Sequence, residues 1–142
     1  MGLLPDINVL IALIDPMHVQ HDQAHEWFGT RGKTTWATCP FTENGVLRIV
    51  GHPRYPNSPG TPAAVVPLLQ GLCALSGHEF WSDQISLLDS GHVDRARLLA
   101  SGQISDSYLL ALATAHGGQL VTLDQHLVTQ AVHRGMHHLL KI

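Results

Sequence analysis

Cysteine is scarce in this chain. Cys39 and Cys73 are its only two, and they form neither a CxxC pair nor a disulfide framework. Buried or semi-buried thiols in a reducing compartment are expected instead. No apolar run reaches 18 residues, which excludes a membrane-spanning helix. A basic leader is missing too, and Asp6 comes too early for a secretory signal peptide. It also stands where a myristoylation signal needs Ser or Thr. Cytoplasm is the expected location. Positive charge is short: eight Lys and Arg face eleven Asp and Glu, for a formal charge of −3. The eleven histidines add only roughly two to three charges at pH 7. A nucleic-acid partner would therefore need a local basic patch or a metal to overcome the acidic background. There is no internal repeat, and 142 residues suit one domain spanning 1–142.

What is present is an alternation of short strands and helices. Residues 2–5 read as a buried strand and 8–14 as a buried helix ending near Asp15-Pro16. A second helix is predicted over 18–28 and a β-branched, aromatic strand over 33–38. Pro40 suits the first turn of a helix that Gly51 and Pro53 end. Prolines at 53, 56, 59 and 62 mark a surface loop rather than a polyproline recognition motif. Then follow a helix over 63–77, in which Pro67 is tolerated or makes a kink, a strand over 78–82 and a short helix over 92–100. The strongest helix is 105–118, capped by Ser105 or Asp106 and stopped by Gly117-Gly118. Strand 119–123, a short helix over 126–135 and a strand over 136–142 close the chain. This order predicts an α/β fold, a parallel sheet of four to five strands covered on both faces.

Within "LLPDINVLIAL" a single acid, Asp6, interrupts an apolar run, and burying it costs several kcal/mol unless something compensates. Glu43 and Asp124 are expected on the same rim, and Asp106 joins them if its helix starts there. Glu43 lies in the first turn after the second strand, Asp106 opens the strongest helix and Asp124 follows strand 119–123. Strand carboxyl ends and the helix starts beyond them share the edge where open α/β sheets bind ligands. From Glu43 the positions i+3, i+4 and i+7 are Val46, Leu47 and Val50; from Asp106 they are Leu109, Leu110 and Ala113. Both acids thus sit on core-facing stripes. A lone Asp at a helix start is usually a cap, but four converging carboxylates repel one another. A hard divalent cation relieves that repulsion, and all-oxygen ligands suit Mg²⁺ or Mn²⁺. Such a site is suited to phosphodiester hydrolysis, the ion activating water and steadying the developing charge.

In "LLPDINVLIALID", "PFTENGVLRIV" and "ISDSYLLALATAHGGQLVTLD", and in the intervening "DPMHVQHDQAHEWF", the chain resembles PIN domains of the VapC-type toxin ribonucleases. The resemblance covers nearly the whole chain. It implies a three-layer α/β/α sandwich, an Mg²⁺- or Mn²⁺-dependent endoribonuclease acting on RNA, a cognate antitoxin and a homodimer. It implies Asp6 and Asp106 as main metal ligands, Glu43 completing the acidic set and Asp124 holding a second or looser ion. Asn8 would orient Asp6, and Thr122 would support the rim. Ile7 stands where many relatives have Thr or Ser, and His126 where some carry a further acid; both departures bear on the second ion.

Other readings compete. His21 and His25, i and i+4 on one helix face with His18 nearby, suit zinc, but Asp22 stands where a metalloprotease pattern needs Glu. Surface or dimer-contact histidines explain them more simply. A phospho-accepting receiver domain needs a rim lysine, and Lys33 and Lys141 do not follow the required strands. A non-catalytic metal- and RNA-binding module is the remaining alternative. For RNA contact, "RIVGHPRY" offers Arg48, His52, Arg54 and Tyr55 to pair phosphates or stack a base, unless Arg48 merely forms an exposed ion pair.

Overall fold

In the computed structural model, which describes residues 2–142, side-chain alternation along very short strands decides the layering. The strands are β1 (Leu3–Pro5), β2 (Trp36–Thr38), β3 (His78–Phe80), β4 (Gln119–Thr122) and β5 (Leu139–Lys141). The helices are α1 (Ile7–Ile14), α2 (His21–Thr30), α3 (Pro40–Val50), α4 (Pro62–Cys73) and α5 (Ile104–Ala115). Leu3, Trp36 and Val121 face one core, shared with Val9, Phe28, Val46 and Val65 of α1 to α4. Their neighbours Leu4, Ala37 and Leu120 face the other, shared with Leu109, Leu110 and Leu112 of α5. Side chains that alternate along a strand thus bind a helical layer to each face. The result is the expected α/β/α sandwich.

All strand pairs are parallel, in the order β3-β2-β1-β4-β5. The chain runs outward from β1 through β2 to β3, then crosses back to lay β4 on the other side of β1. The order therefore reverses between β1 and β4, and a crevice opens beyond their carboxyl ends. Pro5 pairs with Val121, so the next residues, Asp6 and Thr122, emerge side by side at that crevice.

Gly118 protects this register. A Cβ there would stand 2.2 Å from the Gly2 carbonyl oxygen, which accepts the Gln119 N–H at 2.9 Å. Gly118→Ala is expected to cost about 2–4 kcal/mol, because backbone rather than a flexible side chain must give way. Urea unfolding checks this, and an unchanged midpoint would contradict it.

Two predicted helices do not form. Residues 92–100 contain only a 3₁₀ turn at Arg95–Arg97, and 126–135 run through turns. The cause is a long-range contact: Val93 bridges Val132 antiparallel, and the Asp94 N–H donates to the Ala131 carbonyl at 2.8 Å. Leu127, Ala131 and Val132 are buried, so the apolar spacing was core rather than helix. The final strand is also shorter than predicted, since Gly135–His138 make a 3₁₀ turn before β5. Pro67 sits within α4, which runs on past it to Cys73.

His21 and His25 have an internal task. The His21 Nδ1 lies 2.7 Å from the Ala12 carbonyl, and the His25 Nε2 lies 2.9 Å from that of Leu13. Donating there, the two rings satisfy carbonyls in the last turn of α1, which has no intrahelical partners to spare.

Candidate active site

Asp6 answers the question raised by its apolar surroundings. It caps α1, its Oδ1 accepting the Val9 N–H at 2.9 Å, while the Thr122 hydroxyl donates to Oδ2 at 2.7 Å. Its own N–H donates to Val121 across the β1–β4 pairing. Only 6% of the residue is exposed. Burial outweighs these donors and, with a smaller push from the Asp106 charge, lifts its pKa from 3.8 to about 6. Hydrogen bonds alone leave this carboxylate incompletely compensated.

Asp106 faces the same crevice. With Asp6, Ile7, Asn8, Ile49, Ser105 and Leu109 it lines a cleft of about 180 Å³. Neither it nor Ser105 caps α5, which starts at Ile104 after a 3₁₀ turn with no side-chain cap. The Asp106 carboxyl is therefore free of the commonest structural use of an Asp at a helix start. Burial, then the Asp124 charge, raises its pKa. Leu109, Leu110 and Ala113 on the same stripe are buried, as the helical phase required.

Asp124 lies at the exposed margin. Its N–H donates to the Thr122 hydroxyl at 3.0 Å, and its Oδ1 accepts the His126 N–H at 2.8 Å. One hydroxyl thus donates to Asp6 and accepts from Asp124, tying two of the acids together. Asn8 is exposed and lines the cleft, but its backbone N–H, not its amide, adds a weak bond to Asp6. Ile7, the departure from the family pattern, packs on α3 so closely that a Cβ on Gly45 would stand only 2.3 Å from its Cδ1.

Glu43 stands apart from this group. It lies in the first turn of α3, but its carboxylate turns along the sheet and accepts the Thr38 hydroxyl at 2.6 Å. It lines a separate cavity of about 260 Å³ with Asn44, Leu47, Cys73 and His78 among others. Among the described residues, the one set of three His, Cys or acid side chains with all ligand atoms within 4.8 Å is Glu43, Cys73 and His78. The three aspartates do not close to that spacing. Thr38 and His78 also belong to this site; the one signal for Thr38 in the sequence is that β2, like β4, ends in Thr, and each of these hydroxyls donates to an acid.

Arg48 and Arg54, both exposed, border a shallow hollow with Ile49, His52, Tyr55 and Pro56. Ile49 also lines the Asp6 cleft, so the two surfaces adjoin. Neither arginine is ion-paired among the described residues. Tyr55 is spent otherwise: its hydroxyl donates to buried Asp15, which also accepts from Asn57 at 2.7 Å and the Met17 N–H at 2.9 Å. That network fastens the loop following α3 to the end of α1.

Comparison with known proteins agrees with this architecture. The model of the PIN domain matches residues 3–131. Ribonuclease VapC44 of Mycobacterium tuberculosis is 46% identical over 93% of this chain and 92% of its own length. Ribonuclease VapC39 of the same organism is 39% identical over 92% and 94%. The crystal structure of VapC20 from M. tuberculosis, a sarcin–ricin-loop-cleaving toxin, superposes with a TM-score of 0.64 over 89% of this chain and 92% of that one. At 10% identity that likeness speaks for the fold alone. Acids at the switch point of a parallel sheet, a family model over most of the chain and relatives matched almost end to end have one reading: the chain belongs to the PIN domain family and, within it, to the VapC ribonucleases.

Proposed function

We propose that this chain is the toxin of a toxin–antitoxin pair, a single-domain endoribonuclease that hydrolyses RNA phosphodiester bonds with Mg²⁺ or Mn²⁺. The observation that carries this reading is the buried Asp6, lifted to about pKa 6 and lining one cleft with Asp106, Asn8 and Ser105. Such a carboxylate is better satisfied by a cation than by its present donors. Asp6 and Asp106 would hold the ion, with Asp124 at the open side. Glu43 would join through a side-chain rotation from its Thr38 contact. When bound, the ion supplies a Lewis acid for the phosphodiester and lowers the pKa of water. The residues of the chain do the rest. Thr122 orients Asp6 and anchors the Asp124 backbone, while Arg48 and Arg54 offer positive charge to RNA phosphates next to the cleft.

A cognate antitoxin that covers the cleft, a homodimeric state and a cytoplasmic location complete the proposal. No helix among the described residues is long and apolar enough to cross a membrane.

The test is RNA cleavage by wild type, Asp6→Asn and Asp106→Asn, with chelator and with Mg²⁺ or Mn²⁺ restored. Equal cleavage by all three proteins would overturn this metal-dependent aspartate chemistry, and no cleavage by wild type with either ion would leave the non-catalytic binding module as the better account. Thr122→Val is a milder probe. It keeps the shape but removes the hydroxyl between Asp6 and Asp124. Loss of such a supporting contact is expected to reduce cleavage about 10–100-fold and raise the ion concentration needed for half-maximal rate. Wild-type ion dependence in Thr122→Val would contradict that role.

A further inference from the structure

We propose that Glu43, Cys73 and His78 form a zinc site that, when filled, holds Glu43 away from the aspartate cleft. The gating half of this proposal rests on the functional reading above; the zinc site does not. Three separate elements deliver the ligands: the first turn of α3, the last residue of α4 and the first residue of β3. All three side chains are half-buried and border one cavity of about 260 Å³. Their ligand atoms lie within 4.8 Å of one another.

The donor set selects the metal. Thiolate, imidazole and carboxylate together are the ligands of borderline-soft Zn²⁺, whereas Mg²⁺ takes oxygen. Ligands at roughly 2.0–2.3 Å around a tetrahedral zinc stand roughly 3.3–3.8 Å apart, so small side-chain rotations close the set. A fourth position stays open towards the cavity. On binding, the Cys73 thiol releases its proton to solvent, the neutral His78 ring ligates through the nitrogen that does not carry its proton, and Zn²⁺ accepts the sulfur and imidazole lone pairs.

Thr38 already aligns two of the ligands. Its single hydroxyl proton goes to Glu43 Oε2 at 2.6 Å, so at the 2.8 Å contact with His78 Nε2 the hydroxyl oxygen is the acceptor. Polar contacts of this kind orient ligands before a metal arrives. That contact leaves Glu43 bordering a cavity separate from the cleft that Asp6 and Asp106 line, so a metal here would fix the fourth acid in that placement.

Cobalt(II) is the direct probe, since thiolate coordination gives a charge-transfer band in the near ultraviolet. Titration of the full chain is expected to show one Co²⁺ per chain with that band, displaced by Zn²⁺. Cys73→Ser loses the band, His78→Ala weakens binding by at least about tenfold, and Cys39→Ser and Asp6→Asn keep it. Absence of the band in wild type overturns the site. So does its survival in Cys73→Ser, or its loss in Asp6→Asn. RNA cleavage in Mg²⁺ then tests the gating, each protein normalised to its own zinc-free rate. Zinc is expected to slow wild type at least about tenfold and Cys73→Ser less than about twofold. Equal slowing of both overturns the gating. If wild type cleaves no RNA with Mg²⁺ or Mn²⁺, the functional reading and the gating that rests on it fall, while the cobalt titration still decides the site.

Discussion

Asp6→Asn is expected to abolish RNA cleavage and, at the same time, to make the metal-free protein more stable than wild type near neutral pH. Loss of the proposed main ion ligand should lower the rate at least about 100-fold, beyond what supporting contacts are worth. The gain in stability follows from the pKa. Burial lifts the Asp6 carboxyl from 3.8 to about 6 in the folded chain. Keeping it ionised in the fold therefore costs about 3 kcal/mol once both states are ionised. Asn removes the charge but weakens the Thr122 bond, leaving a net gain of about 2 kcal/mol, or roughly 4–8 °C in the thermal midpoint.

The sign of the pH dependence is specific. A carboxyl with a raised folded pKa imposes its full penalty above about pH 6 and none below 3.8. The advantage of Asp6→Asn should therefore shrink as pH falls through that window. Taking the difference between the two proteins cancels the other titrating groups. Burial holds the His78 and His116 imidazoles below their ordinary value, so their contribution is present above 6.5 and is lost as pH falls. Burial also pushes Asp15 upward, but bonds from Tyr55, Asn57 and Met17 outweigh it; that stability is present above 3.8 and lost below. Thermal scans of both proteins across the window check the prediction. A lower midpoint for Asp6→Asn at every pH would contradict it.

The second large effect is a gradation among the other acids. Asp106 is half-buried and lines the cleft with Asp6, whereas Asp124 is exposed and acts on Asp106 through its charge. Asp106→Asn is expected to reduce cleavage at least about 100-fold at any ion concentration. Asp124→Asn should cost about tenfold and recover as Mn²⁺ is raised, since a peripheral ligand mainly tunes affinity. Glu43→Gln separates two possibilities for a displaced acid. If the carboxylate rotates into the cleft during turnover, this variant should fall between the other two. Cleavage rates against Mn²⁺ concentration give the ranking, and equal losses in Asp106→Asn and Asp124→Asn would contradict it.

Local pattern carried much of the site. An acid in an apolar run placed Asp6 beside the first strand, and the helical phase from Asp106 to Ala113 turned that carboxylate inward. A parallel sheet covered on both faces follows from central strands too apolar for solvent on either side. What local pattern could not carry was partnership at a distance. Glu43 has the same phase as Asp106, yet Thr38 and His78 from two other segments decide where its oxygens go. The 92–100 and 126–135 segments have helical spacing, but the Val93–Val132 bridge spends their backbone on each other. His21 and His25 look like a metal pair until α1 supplies carbonyls that need their protons. In each case a contact many residues away overrides a correct local periodicity.

Calorimetric titration of Mn²⁺ into wild type and the double variant Asp6→Asn/Asp106→Asn, with RNA cleavage measured on the same samples, is the most direct test of the central claim. Wild type should bind the ion and cleave, and the double variant should bind at least about 100-fold more weakly and leave RNA intact. Undiminished Mn²⁺ binding and cleavage by the double variant would contradict the account.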